Sequence, residues 1–321
     1  MNTDLRRSLR RQRTRANRLL GLPPQRTVVT RRGQTPAEPL DEFTLWASIA
    51  TFAEEDVIEA TVANAFAQGC ERVFLLDNAS PDATVARALA AGAEVVDSWE
   101  SDAFDEFERS RRANRWMAQL SPDAPTTSVW WLHLDADEFP HGPGTRTVRE
   151  HLELLDRSYR VVGAEFWNHF PTPGRTPAYE RGRHPLDDQP LVEREPFRYC
   201  WHGHYKHPLV RVDRGAPTPQ LLPGAHLPMR YGGHRMVEPP AGIVVHHMQF
   251  RDEETTRARM ALTETRLVRD EPIANRMRFV DAVYQGRWDA APIVRGRFGN
   301  RAPRPKLWTG GRVASHTSTT P

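Results

Sequence analysis

The hydrophobic pattern switches between two periods along residues 44–140. TLWASIAT (44–51), RVFLLD (72–77), AEVVD (93–97) and SVWWLHL (128–134) are short, largely apolar runs. That is the pattern of strands buried on both faces. Between them the spacing is helical. EEDVIEATVANAFAQG sets Ile58, Val62, Ala65 and Phe66 on one side, with Glu54, Glu55 and Asp56 at the positive N-terminal end and Gly69 as the stop. ATVARALAAG closes at Gly92, and residues 104–120 read as a third helix. Strand and helix in alternation predict an α/β fold, a mostly parallel sheet with helices on both faces. Such sheets bind ligands beyond the carboxyl ends of their strands. Asp77 and Asp135 each close a strand, so both are predicted at that edge.

Beyond residue 140 the pattern is less regular. TVREHLELL predicts a helix, YRVVGAEFWNHF a strand, and residues 171–196 a loop rich in Pro, Arg and Gly. RYCWHGHYKHPLVRV and AGIVVHHMQF read as strands carrying His, and EETTRARMALTETRLVRD as a helix. The order divides the chain into a basic tail (1–40), a domain (41–285) with a less regular C-terminal acceptor region, and a basic Pro/Gly-rich tail (286–321).

Composition narrows the function. The formal net charge is only +3, too small to argue for nucleic acid as a partner. Residues 1–33 hold many Arg and one acid, Asp4, which suits a disordered segment or contact with an anionic membrane surface. Cys70 and Cys200 are the only cysteines, too few for a disulfide framework or a zinc cluster and consistent with a reducing, cytoplasmic setting. No apolar run is long enough to span a bilayer. Lys206 and Lys306 are the only lysines among the 44 cations.

Three motifs carry chemistry. Asp135-Ala-Asp137 follows the apolar strand WWLHL and continues as Glu138-Phe139. Two carboxylates leaving a buried strand offer hard oxygens to Mn²⁺ or Mg²⁺, which keep positions open for water and phosphate. LLDNASPDAT ends a strand in Asp77 and Asn78, able to bond a nucleobase or ribose, while Ser80 and Asp82 suit a turn and helix cap. SRRANRWMAQL brings Arg residues that can approach a diphosphate.

The order VFLLDNASPDAT, RRAN, VWWLHLDADEF resembles glycosyltransferase family 2, in particular the bacterial branch whose metal motif reads DADEF. The resemblance covers residues 44–140 and extends more loosely to about 265. It implies a GT-A fold, Rossmann-like, and transfer of a sugar from a nucleoside diphosphate sugar donor to a glycan, lipid or small-molecule acceptor. It implies Thr51, Asp77 and Asn78 near the nucleoside, Arg112 and Asn114 as an Arg-Asn pair, and Asp135 and Asp137 at metal and diphosphate. It implies inversion, and so a catalytic base, for which Glu138 and Glu165 are the candidates. A late His supplies a further metal ligand in some GT-A enzymes; His247 fits best, among His202, His204, His207, His226 and His246. The chain departs from the pattern at Ala53, where the family has Asn; Glu54 stands in the acidic position beside it.

Two other readings compete. The Asp and His residues could form a metal-dependent phosphoester hydrolase, although no HExxH spacing occurs. A basic-tailed adaptor is the third, but a tail does not explain carboxylates at a strand end.

Overall fold

The computed structural model describes residues 28–30, 38–101, 105–173, 184–194, 206–222, 228–229, 236–266, 273–287 and 305–308. Its first half runs β1 (Val28–Thr30), β2 (Thr44–Thr51), α1 (Ile58–Ala67), β3 (Arg72–Asp77), α2 (Thr84–Ala90), β4 (Glu94–Ser98), α3 (Glu106–Leu120) and β5 (Ser128–Asp135). The second half runs β6 (Glu138–His141), α4 (Val148–Glu153), β7 (Val161–Phe170), β8 (Leu191–Arg194), β9 (Lys206–Asp213), β10 (Gln220–Leu221), β11 (Pro228–Met229), β12 (Met236–Glu238), β13 (Ile243–His247), α5 (Glu253–Arg266), α6 (Ile273–Tyr284) and β14 (Lys306–Leu307).

The expected α/β architecture, a sheet with a parallel core and helices on both faces, is borne out. The main sheet has the order β14-β8-β7-β9-β5-β2-β3-β4. Its core, β5-β2-β3-β4, is parallel throughout. The second half is mixed. β9 is antiparallel to both β5 and β7, and β13 runs parallel to β7 and antiparallel to β6. β7 and β13 therefore point the same way as β5, and all three deliver their carboxyl ends to one edge.

Alternation along the strands builds two cores. Leu45, Ala47 and Ile49 of β2 share one face with Val73, Leu75, Leu132 and Leu134, against Ile58, Val62 and Ala65 of α1, Ala88 of α2 and Val148 and Leu152 of α4. Trp46, Phe74 and Trp131 point to the opposite face, where Met117 of α3 and Val210 of β9 close the layer. Trp46 meets Phe74 and Trp131 edge-on, each at 5.4 Å between centroids. Burying side chains of this size stabilises the fold by roughly 1.5–3 kcal/mol each, which makes the two faces the main source of its rigidity. α3 begins where the Asp105 carboxylate accepts the Phe107 N–H.

Two elements were not legible in the pattern. β6 contains Pro140, which argues against a strand, but among the described residues β6 pairs only with β13 and is an edge, where proline is tolerated. α6 alternates Arg with apolar residues, and its buried Ala282 and Val283 become apolar-face positions only against Phe250 and Phe170. Two short strands fall inside segments expected as tails: β1 pairs with β12, and β14 with β8. Among the described residues no helix is long and apolar enough to cross a membrane.

Candidate active site

The registers align the chemistry. Thr51 lies opposite Asp77, and Ala50 opposite Asp135, so β2, β3 and β5 end together. On the far side, His247 of β13 lies opposite Asn168 of β7 and Glu138 of β6. The turn Ala136-Asp137 bridges these two groups, and the Asp137 carbonyl accepts the Met248 N–H at 2.9 Å.

Asp137 and His247 face one another, with Oδ1 3.6 Å from Nε2. His247 Nδ1 lies 2.9 Å from Asn168 Oδ1. An amide oxygen only accepts, so Nδ1 donates to Asn168 and Nε2 is the nitrogen turned toward Asp137. Metal-ligating histidines are commonly oriented in this way. Ligand atoms about 2.1 Å from an octahedral ion stand roughly 3 Å apart, so a small side-chain shift would let this pair share Mn²⁺ or Mg²⁺. Among the described residues no group of three or more His, Cys, Asp or Glu gathers to hold a metal. A two-ligand site fits ions that retain water and phosphate oxygens.

Around this pair stands a ring of opposite charges. Arg251 Nη2 is 3.8 Å and Arg259 Nη2 3.7 Å from Asp137 Oδ2. Both nitrogens are held more closely by Glu54, Arg251 at 2.6 Å and Arg259 through a short hydrogen bond. Asp56 pairs with Arg251 Nε at 2.8 Å. Burial works against ionisation of Asp137, but His247, Arg251 and Arg259 outweigh it and hold the carboxyl below its usual range. Burial pushes Glu54 up, to about 7, against the pull of Arg259 and Arg251.

Asp135 is bound differently from Asp137. Arg109 Nη1 donates to one of its oxygens at 2.7 Å and Lys206 Nζ to the other at 2.8 Å. Burial would raise the Asp135 pKa, but Arg109 and Lys206 drive it well below the usual carboxylate range. Lys206 also bonds Glu138, whose other oxygen accepts the Asp135 N–H at 3.1 Å. Burial and then the neighbouring Asp135 push Glu138 up to about 8, against Lys206. Asp135, Arg109 and Lys206 border an open cleft on the α3 face, lined also by Ser48, Ala50, Leu76, His133 and Leu221.

The expected nucleoside residues reach the edge but serve their loops. Asp77 accepts from the Ser80 N–H at 3.1 Å and the Ser80 hydroxyl at 2.5 Å, and Asn78 Oδ1 accepts from Ser101 Oγ at 3.1 Å. Thr51 Oγ1 is buried and, among the described residues, has no hydrogen-bond partner. Arg112 pairs with Asp97 at 3.0 Å and Glu108 at 2.8 Å. Asn114 exchanges two hydrogen bonds with the Leu221 backbone, at 3.0 and 2.7 Å. The helix's contribution at Asp135 is Arg109, one turn before Arg112. Glu165, three residues before Asn168 on β7, pairs with Arg194 at 2.6 Å.

The histidines separate. His207 is fully buried against Glu238 at 2.7 Å. His246 lies between His141 and His169, at 3.1 and 2.7 Å, behind His247. His202, His204 and His226 lie outside the described residues. Sequence reasoning missed Arg109, Lys206, Asn168, Arg251 and Arg259. Lys206 carried a signal, as one of two lysines in an Arg-rich chain: a compact ammonium fits between two carboxylates where a guanidinium fork does not.

No protein-family model and no curated protein sequence matches the chain. Solved structures of similar layout include glucosyl-3-phosphoglycerate synthase of Mycobacterium tuberculosis, at 15% identity and TM-score 0.36, covering 89% of this chain and 97% of that one. For the same enzyme in complex with Mn²⁺, UDP-glucose and phosphoglyceric acid, one match covers only 38% of this chain and 44% of that chain, at 19% identity and TM-score 0.28. Mannosyl-3-phosphoglycerate synthase of Rubrobacter xylanophilus matches at 15% identity and TM-score 0.35, over 80% of each chain. Likeness at this level assigns neither substrate nor residue roles to this chain.

Proposed function

We propose that the chain is a divalent-metal-dependent glycosyltransferase that moves a sugar from a nucleoside diphosphate to a hydroxyl of a glycan, lipid or small-molecule acceptor. One observation carries the reading. At the carboxyl edge of a parallel sheet, an ionised Asp137 faces Nε2 of a His247 fixed by Asn168, with Arg251 and Arg259 alongside.

Asp137 and His247 would hold the ion, which when bound supplies neutralising charge to the leaving diphosphate. Asn168 fixes the tautomer that His247 needs. Arg109 and Lys206 keep Asp135 ionised and fixed at the wall of the cleft, where its carboxylate can accept from donor hydroxyls. Glu138, bonded by Lys206 and by backbone, positions that pair. Arg251 and Arg259 stand where the negative charge of a diphosphate would lie.

The proposal includes an inverting course, in which a base takes the acceptor proton as the diphosphate leaves. Proton NMR of the first product anomer tests that part alone, and retention would remove it. Contact of residues 1–33 with an anionic membrane is included for a lipid-linked acceptor. Co-sedimentation with anionic vesicles tests it, against a chain lacking that segment.

The test of the whole is Mn²⁺-dependent binding of nucleoside diphosphates by isothermal titration. Binding that requires both the metal and Asp137 supports the transferase. Cleavage of simple phosphodiesters with no nucleotide binding would favour the hydrolase instead.

A further inference from the structure

We infer that Glu54 is a positioning residue for the metal site: it holds Arg251 and Arg259 away from Asp137 so that the Asp137 carboxylate stays open to a divalent ion. The inference rests on the metal-dependent reading above and concerns a residue that never touches the ion.

Two guanidiniums lie beside two carboxylates, and the same two nitrogens choose between them. Arg251 Nη2 is 2.6 Å from Glu54 Oε2 and 3.8 Å from Asp137 Oδ2. Arg259 Nη2 hydrogen-bonds Glu54 Oε1 and is 3.7 Å from Asp137 Oδ2. Both distances to Asp137 are beyond hydrogen-bond range. Among the described residues the Asp137 side chain accepts no hydrogen bond, although two arginines and a histidine surround it. A partly buried carboxylate beside two guanidiniums would ordinarily take the bidentate bonds itself. Here Glu54 instead accepts one hydrogen bond from each arginine, on separate oxygens.

Glu54 is built to do so. Its N–H donates to Thr84 Oγ1 at 2.8 Å. The next residue is clasped too, since the Glu55 carboxylate accepts the Ala83 N–H at 2.9 Å. Ala53, with φ of 54°, turns the chain out of β2 so that Glu54 enters the site, and its N–H donates to Ser80 Oγ at 3.1 Å. The β2–α1 and β3–α2 loops thus fix Glu54 from behind, and Asp56 takes Arg251 from a second side at 2.8 Å. Arg251 is fully buried and cannot turn to solvent. Among the described residues, the other carboxylate paired with Arg259 is Asp137, at 3.7 Å.

The experiment titrates MnCl₂ alone into the full chain, following free Mn²⁺ by electron paramagnetic resonance, with circular dichroism to verify folding. Glu54→Asp keeps the charge but shortens the reach, so it separates position from charge. Glu54→Asp and Glu54→Gln are each expected to weaken Mn²⁺ binding about 10- to 100-fold. Adding Arg259→Gln to either is expected to recover most of that loss, because the competing guanidinium is gone. Arg259→Gln alone, at a partly exposed position, is expected to tighten binding and serves if the Glu54 variants do not fold. Wild-type affinity in Glu54→Asp, no recovery in the double variants, or weaker binding in Arg259→Gln would overturn the inference. A wild-type chain that takes up no Mn²⁺ would sink the metal reading and this inference together.

Discussion

Asn168 and His247 sit opposite each other on parallel strands, and the amide oxygen of one fixes the proton of the other at 2.9 Å. This contact decides which nitrogen of His247 faces Asp137. Asn168→Leu keeps the volume and removes the acceptor. Mn²⁺ affinity is expected to fall about 10- to 100-fold, the range for loss of a partner behind a metal ligand. Titration calorimetry with the metal alone reads the change, and an unaltered affinity would leave Asn168 without this role.

Arg109 and Arg112 lie on one helix, yet only Arg109 bonds Asp135. Arg109→Ala is expected to weaken nucleoside diphosphate binding about tenfold or more, since the half-buried Asp135 loses a charged partner. Arg112→Ala leaves Asp97 paired with Arg115, and is expected to cost about 1 kcal/mol of stability or less with donor affinity kept. The reverse ranking would return the donor role to the RRAN motif.

Ala53 lies in the left-handed region, at φ of 54°. Alanine pays about 1 kcal/mol there, whereas Asn adopts it readily. The family resemblance places Asn at this position. Ala53→Asn is expected to stabilise the chain by roughly 0.5–1 kcal/mol, read from the urea midpoint at unchanged slope. A destabilised variant would show that the loop has no room for the amide.

His151 and His169 are buried, and burial lowers each to about 4. In the unfolded chain both take protons near pH 6.5. The unfolded state therefore binds more protons between roughly pH 6.5 and 4, and stability falls as pH falls through that window. Above it, the contribution is fully present. Melting temperature is expected to decline from pH 7.5 to 5, and His151→Gln to decline less steeply. Identical slopes would exclude His151 as a contributor.

The parallel core was legible because each strand there is a continuous apolar run bounded by a helix of regular spacing. SVWWLHL ends in Asp135 in the structure as in the pattern. The site was legible only in part. Asp137 and His247 stood out by residue type and by position at strand ends. Arg109 was indistinguishable in sequence from Arg111, Arg112 and Arg115, since helix rotation relative to the sheet decides which arginine meets Asp135. Arg251 and Arg259 lie more than a hundred residues from Asp137, and the antiparallel pairing of β13 with β6, continued by the Met248 N–H on the Asp137 carbonyl, brings them near. Glu165 looked like an acid on a strand, but Arg194 opposite Trp167 on β8 supplies its partner.

The most direct test of the central claim is thermal stability with UDP, GDP, CDP and dTDP, each with and without Mn²⁺, on wild type and Asp137→Ala. Ligands that bind the native state raise the midpoint by mass action. The account predicts a rise with at least one nucleotide that needs Mn²⁺ and vanishes in Asp137→Ala. No rise with any nucleotide, or the same rise without the metal and in Asp137→Ala, would contradict it.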